Sequence, residues 1–395
     1  MEILSLFRRA PALRRLWLGA LISGIGDVFT WTALTWYLVE RTNSGAAVGT
    51  MLLCFSLPAV LTGGWLGKFL DRVQPRPVMM LDNLLRAVLI ALIPLFDRLD
   101  WLPLSVVYVI SGLMGALAPA TRVGTRLLTP HLVKDKDLEI ANGALALTEQ
   151  LPGVLGPVLA GLAIHAWGAP RALLLDAVSF LALIWAVATL PNITRQEQTE
   201  APKASGSILL RYPAATFATV LSFVFFFAYG PTETALPFFT RNTLQSDAAG
   251  LGWLWTAVSV GSILGSLMTA WLTRKVPAAL AMSGIAVLWG LCQTGLAFAP
   301  NLGYALACFF VGGIFWGPYL AIETSFLQRT VPTQEHGAFF GIHTAFLSPS
   351  MPLGAALGGA LLVRFSPSAV LLIAALACLA AGIAALFLPK LARRS

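Results

Sequence analysis

The feature that most limits what this chain can become is a succession of apolar stretches, each about as long as a bilayer is thick. A helix needs roughly 20 apolar residues to cross the hydrocarbon core. Twelve such stretches follow one another: 16–39, 46–69, 77–96, 101–121, 140–164, 171–190, 213–239, 248–272, 277–299, 301–323, 337–363 and 366–388. Backbone groups in lipid find no water, so each stretch must satisfy its own peptide hydrogen bonds as a helix. Little chain is left for a soluble domain. Composition agrees, with 57% hydrophobic and 11% charged residues against about 25% charged in a soluble protein. Basic residues precede the first stretch but no small-residue cleavage site accompanies it, so it is expected to stay as a helix, not leave as a signal peptide.

The net charge of +8 is topological. With both termini placed inside, twenty Lys and Arg fall on inner segments. Five (Arg41, Arg98, Arg171, Arg241 and Arg364) fall on outer connections, and Arg86 lies within a span. That bias follows the positive-inside rule, and a nucleic-acid partner is not expected. Cys54, Cys292, Cys308 and Cys378 sit inside apolar runs without metal-ligand spacing, which reads as packing. No Walker-type phosphate loop occurs, so ATP hydrolysis by that route is excluded. Neither a nucleophile–base pair nor a cofactor motif is visible, and no enzyme activity, cofactor or metal is expected.

The chain divides into two halves. Asn192–Tyr212 is its longest polar segment, rich in Gln, Thr, Glu and Ser, and reads as a flexible inner linker. Shifting the sequence by 202 positions aligns Thr30–Arg72 with Thr232–Arg274, with 11 of 43 pairs identical. Composition alone would give roughly three or four such identities, so the repeat is a duplication. The expected organisation is a six-helix half over 1–191, a linker over 192–212 and a second six-helix half over 213–395.

Acids inside such spans point to function, because an ionised carboxylate in lipid needs a partner, water or a proton. Six qualify: Asp27, Asp82, Glu149, Asp176, Glu233 and Glu323. Ser23, Asp27 and Thr30 share a helical face near the middle of the first span, with Trp31 beside them. Two readings of Asp27 stand: a protonatable or cation-sensing site, or a packing acid bonded across to Arg86 in the third span. Asp82 and Arg86, at i and i+4, are spaced to neutralise each other. Glu149 is open between proton site and packing acid, and Asp176 reads as structural. His343 is a further titratable candidate whose bland reading is packing. Phe226, Tyr229 and Glu233 share one face of the seventh span, and Trp316, Tyr319 and Glu323 one face of the tenth. Aromatics beside an acid suit a bulky, partly apolar substrate, although aromatic stripes at this spacing usually pack.

The segment Gly63–Pro77 joins two spans and carries Lys68, Asp71, Arg72 and Arg76, so it must be an aqueous hairpin. Gly67-x-x-x-Asp71-Arg72-x-x-x-Arg76 resembles the loop 2–3 signature of the major facilitator superfamily. Gln74 and Pro77 depart from that pattern. In the repeat, Thr273 replaces Asp71. The tract ending in LPGVLGPVLAG, with Gly143, Pro152, Gly156, Pro157 and Gly161, is similar to the superfamily's antiporter signature in helix 5, with Pro152 and Ala160 replacing two of its five glycines. Three longer tracts, FRRAPALRRLWLGALISGIGD, TRVGTRLLTPHLVKDKDLEIANGALALTEQLPGVLGP and RALLLDAVSF, are similar to the enterobactin-exporter and macrolide-efflux branch.

The resemblance covers essentially the whole chain and implies an all-α membrane fold of twelve helices in two pseudo-symmetric halves, with both termini cytoplasmic. It implies a monomeric exporter of small amphipathic molecules (drug, macrolide or siderophore) in the bacterial inner membrane, exchanging substrate for protons. Helices 1, 4, 7 and 10 of that fold line a central cavity, which would bring Ser23, Asp27, Thr30 and Trp31 to Phe226, Tyr229, Glu233, Trp316, Tyr319 and Glu323. Gly67, Asp71, Arg72 and Arg76 would form the conformational-switch loop, and Asp27, Glu149 and Arg86 are the proton-coupling candidates. Many proton-coupled exporters carry an arginine within helix 4, whereas here 101–121 has no basic residue before Arg122. The same architecture also moves lysophospholipids, which would demand an apolar lateral opening. A non-transporting receptor would show a collapsed cavity.

Overall fold

A computed structural model describes residues 2–70, 73–191, 208 and 211–387. Among these residues every regular element is helical. The helices are α1 (Glu2–Arg9), α2 (Pro11–Thr42), α3 (Gly45–Leu70), α4 (Pro75–Arg98), α5 (Leu104–Leu128), α6 (Leu138–Trp167) and α7 (Ala169–Ala188). They continue as α8 (Pro213–Phe238), α9 (Ala248–Leu267), α10 (Thr269–Lys275), α11 (Ala278–Ala297) and α12 (Leu302–Trp316). The last are α13 (Tyr319–Thr330), α14 (His336–Leu347), α15 (Ser350–Leu361) and α16 (Pro367–Leu386). Starts are marked by residues that relieve unpaired backbone donors. Asp247 accepts from the Gly250 amide at 3.1 Å and Asn301 from the Tyr304 amide at 2.9 Å. Prolines open α4, α7, α8 and α16, where their missing N–H costs nothing.

The polarity is that of a protein solvated by hydrocarbon. Large apolar side chains such as Leu61, Leu81, Val109, Val178 and Leu267 are exposed, whereas Asp82, Asn83, Arg86, Asp176 and Glu323 are buried. Eleven helical segments among the described residues are long and apolar enough to cross a membrane. The stretch expected over 337–363 is instead two helices, α14 and α15, broken at Ser348 and Pro349. Pro349 lacks the donor that would continue the ladder. The Ser348 hydroxyl donates to the Thr344 carbonyl and the Ser350 hydroxyl to that of Leu347, each at 2.6 Å. Side chains thus bond carbonyls at the break.

The amino-terminal residues, expected only as a basic lead, form α1. Its Leu6 and Phe7 are buried with Leu13, Ala141 and Ala144, Phe7 meets Trp17 at 5.1 Å, and Arg9 reaches Asp137 at 3.5 Å. The apolar spacing Ile3–Leu6–Phe7–Ala10 is the helical signal in the sequence.

Contacts divide the chain into two units, Met1–Arg41 with Cys54–Gln198 and Thr42–Leu53 with Thr199–Ser395. Thr42–Leu53 is counted with the second unit because the start of α3 packs on α15 through glycines. A side chain at Gly49 would lie 3.2 Å from the Gly359 backbone, a close approach that only small residues permit. Most of the linker expected over 192–212 lies outside the described residues.

Candidate functional site

The first unit is built around one buried cation. Arg86 comes from the middle of α4, where its side chain is 2% exposed and its guanidinium stands 4.3 Å over the Phe180 ring of α7. It donates to Asp27 Oδ1 of α2, so the contact of Arg86 is with Asp27 and not with its helical neighbour Asp82. Asp82 Oδ2 instead accepts from the Thr121 hydroxyl of α5 at 2.6 Å, and Asn83 donates to the same hydroxyl oxygen at 2.7 Å. Asp176 of α7 takes hydrogen bonds from Thr30 and, at 2.8 Å, from Ser179. A lone arginine in a low-dielectric bundle would be prohibitive. Three carboxyls and an aromatic face surround this one.

Asp27 differs from the other two acids. Its side chain is 43% exposed, and it opens into a cavity of about 450 Å³ with charged residues on its wall, within the first unit. Ser23 and Arg86 join it on the wall, as do Thr121, Arg122, Thr125 and Arg126 of α5 and Glu149 and Pro152 of α6. Glu149 and Arg126 form an ion pair at 2.8 Å. The cavity holds a full ionic pair on each side and an additional guanidinium, Arg122, so a substrate entering it meets charge of both signs.

Helices α2 and α6 approach closely enough to frame this space because small residues alternate with bulky ones. A side chain at Gly24 would come within 2.9 Å of the Pro152 ring, and one at Gly156 within 2.7 Å of Val28. Pro152 and Pro157 both lie inside α6, and Pro157 and Gly161 are buried. Gly143, by contrast, has open space where a side chain would stand, so no packing demand explains it.

Other sequence candidates are placed as follows. Thr30 does not line the cavity. Its hydroxyl turns to Asp176, because the buried carboxylate needs the donor more than the cavity does. Trp31 packs edge-on against Phe55 at 5.6 Å. Asp71 and Arg72 lie outside the described residues, as do the side-chain surroundings of Gly67, while Arg76 donates to the Ala188 carbonyl at the end of α7. Sequence reasoning missed Thr121, Arg122, Thr125 and Arg126 as cavity residues. Their signal was two polar residues per turn, at i, i+1, i+4 and i+5, ending an otherwise apolar run.

In the second unit the aromatic candidates meet one another. Phe226 lies edge-on to Trp316 at 5.4 Å and to Tyr319 at 5.9 Å, and Tyr229 meets Trp316 at 5.0 Å. Trp289 of α11, absent from the sequence candidates, completes the nest at 4.9 Å from Trp316. Tyr229 donates to Glu233 at 2.8 Å. Tyr229, Tyr319, Glu233 and Glu323 are buried, and Phe226 and Trp316 half-buried.

An all-helical chain with a bilayer-length apolar exterior and a charged cavity among its helices is a multi-pass membrane transporter by class. A family described as transmembrane secretion effector matches residues 4–393. The chain belongs to that family of the major facilitator superfamily. It is 27% identical to the multidrug efflux pump Tap of Mycolicibacterium fortuitum over 97% of both chains. It is 20% identical to macrolide efflux protein A of Streptococcus pyogenes over 86% of each. Among solved structures, a bacterial homologue of the iron transporter ferroportin in an inward-facing state aligns with TM-score 0.76 at 15% identity, covering 97% of this chain and 99% of that one. The nucleoside transporter NupG has a TM-score of 0.72 at 15% identity, covering 96% and 99%. These likenesses define the fold. The protein moves small molecules and is not an enzyme.

Proposed function

We propose that this protein is a secondary exporter of small amphipathic molecules, drug-like or macrolide-like compounds first and siderophores second, driven by protons entering in exchange. The observation that carries the reading is the charged cavity of about 450 Å³ where Asp27 stands exposed on a buried Arg86. A carboxylate so placed alternates between two partners. Deprotonated, it neutralises Arg86. Protonated, it releases the guanidinium to a substrate's acceptor or to Asp82 and Asp176. Glu149 and Arg126, as a second and more exposed pair, tune entry to the cavity. Drug-efflux names among relatives that match nearly the full chain support the direction of transport.

The architecture belonging to this reading is two six-helix halves, 1–191 and 213–395, joined by a cytoplasmic linker at 192–212. Both termini are cytoplasmic, and α14 with α15 together make the eleventh of twelve crossings. The protein works as a monomer in a bacterial inner membrane by alternating access, with Gly67, Asp71, Arg72 and Arg76 as the switch loop. The direct test is efflux from drug-loaded liposomes under an imposed pH gradient. Asp27→Asn should lower gradient-driven efflux by more than about tenfold, the equivalent of about 1.4 kcal/mol of lost coupling. Efflux equal to wild type would remove Asp27 from the mechanism.

One observation favours a lipid-moving alternative. An almost wholly apolar crevice of about 280 Å³ runs among Met268, Trp271, Leu272, Leu280, Ile314 and Phe315 of the second unit, of a size to take an acyl chain. Transport of a fluorescent lysophospholipid that ignores the pH gradient would favour it over drug export.

A further inference from the structure

The second unit buries an acid and a base that the proposed cycle does not use. Glu323 of α13 and His343 of α14 are 2% and 8% exposed. His343 Nε2 stands 3.8 Å from Glu323 Oε1, and that same oxygen has no hydrogen-bond partner. Around them the surface is largely aromatic. The imidazole stacks on Phe339 at 6.4 Å and meets Phe340 edge-on at 6.1 Å.

The protons of this cluster can be counted. The Thr219 hydroxyl of α8 donates to the Ala215 carbonyl at 2.9 Å. A hydroxyl has one proton, so with that bond made Thr219 offers a lone pair to His343 Nδ1, 3.0 Å away. In that arrangement Nδ1 carries hydrogen. Neutral imidazole has one N–H, which leaves Nε2 as a bare acceptor facing a carboxylate oxygen. Two acceptors opposed in a dry site, one of them a carboxylate oxygen with no hydrogen bond of its own, is an arrangement that buried groups do not tolerate. A single proton resolves it, whether as Glu323–OH against Nε2 or as Glu323 carboxylate against imidazolium.

Among the described residues no lysine or arginine forms an ion pair with Glu323. The titratable groups near the pair are the Tyr319 phenol, which exchanges a hydrogen bond with Ser222 at 3.0 Å, and the Cys378 thiol of α16 beside Tyr319. Glu335, at the α13–α14 connection, is held by Arg211 at 2.6 Å and Tyr212 at 3.1 Å. His336 faces the Val331 carbonyl at 2.8 Å, and Arg329 of α13 is exposed.

We infer that Glu323 and His343 form a proton-binding site in the second unit, holding one shared proton while dry and exchanging it with water when the site opens. The step is a bare proton transfer: an O–H or N–H bond breaks, the proton passes to water, and no other bond changes. The site binds its proton whatever Asp27 does.

The test reads protonation directly, with no transport assay. Full-length protein with 15N-labelled histidine is purified in detergent near neutral pH, and the signal among its 4 histidines that is lost in His343→Gln is assigned to His343. That signal should show hydrogen on Nδ1 and either hydrogen on Nε2 or, by infrared difference against Glu323→Gln, a protonated carboxyl lost with Glu323. Glu323→Gln should shift the His343 signal, and Asp27→Asn should leave it in place. Hydrogen on Nε2 with bare Nδ1, or a bare Nε2 with Glu323 ionised, overturns the proposal. If Glu323→Gln does not fold, Glu323→Asp, which keeps the proton-sharing carboxylate, takes its place and must preserve the doubly partnered ring. A shifted His343 signal in Glu323→Gln alongside unaltered efflux in Asp27→Asn would remove Asp27 from the export mechanism and leave this site standing.

Discussion

The two units share the sequence repeat, yet they handle polar groups in oil in opposite ways. The first sets charge beside a cavity: Asp27 opens to it, the buried Arg86 bonds Asp27, and Glu149 and Arg126 face the same space. The second buries Glu233 and Glu323 and packs an aromatic nest of Phe226, Tyr229, Trp289, Trp316 and Tyr319. The repeat makes the divergence concrete. Thr30 and Thr232 are equivalent by the 202-residue shift, but Thr30 donates to the Asp176 carboxyl whereas Thr232 donates to the Gln293 amide at 3.1 Å. Where the first half kept an ionic partner the second accepted a neutral one. Charge tied to water can change partners during a cycle, while groups locked among rings can only gain or lose a proton.

The largest expected effect breaks the first half's side of this contrast. Arg86→Met strands the Asp27, Asp82 and Asp176 carboxyls around an apolar side chain. Removing one partner of a buried ionic cluster costs about 3–5 kcal/mol. Denaturant unfolding followed by far-ultraviolet circular dichroism should show that loss, and Asp27→Asn added to Arg86→Met should return part of it. No destabilisation would mean the cluster is wet throughout.

Trp289→Ala tests the second half. The ring lies 4.9 Å from Trp316 and 5.7 Å from Tyr229, and its removal leaves a cavity worth about 3 kcal/mol. The same unfolding measurement should register it with little change in ionic-strength dependence, since no charge is exposed. A marked salt dependence would mean that the nest conceals an ionic function.

How much of this was legible beforehand depends on what each residue answers to. The spans were legible because lipid imposes a length and a polarity on any crossing. The partnership of Asp27 with Arg86 was available as one of two readings, and the structure shows that pairing, with Asp27 also on the cavity wall. Helical periodicity put Thr30 beside Asp27, but the demand of a buried Asp176 for donors is tertiary and invisible to spacing. The break at Pro349 was equally hidden. Prolines elsewhere, such as Pro58 and Pro94, sit inside unbroken helices, so a proline alone does not announce a break. Trp289 and Thr121 lie in spans with no acid of their own to draw attention.

A smaller effect sharpens the comparison inside the first half. Thr121 donates to Asp82 and accepts from Asn83. Thr121→Val keeps the shape and removes both interactions, at about 1–3 kcal/mol for the buried groups left unpaired. Thr121→Ser should restore most of it. If valine costs nothing, water from the cavity already serves Asp82, and the boundary between its wet and dry parts lies deeper than the geometry indicates.

The smallest effect concerns Arg126 and Glu149. Both are more than half exposed, at 66% and 55% of their side-chain surface, so solvent screens their attraction and the pair is worth at most about 1 kcal/mol to stability. Their contribution to the cavity's field is not bounded in that way, because charges lining a low-dielectric cleft focus the potential felt by an entering molecule. Arg126→Gln should thus leave the unfolding midpoint nearly unchanged while altering the efflux of cationic and anionic substrates in opposite directions. The charge-exchanged double variant, Arg126→Glu with Glu149→Arg, keeps the net charge and should return both toward wild type. Equal changes for both substrate signs would mean that the pair acts through shape, and that only Asp27 and Arg86 carry the electrostatics that set the first half apart.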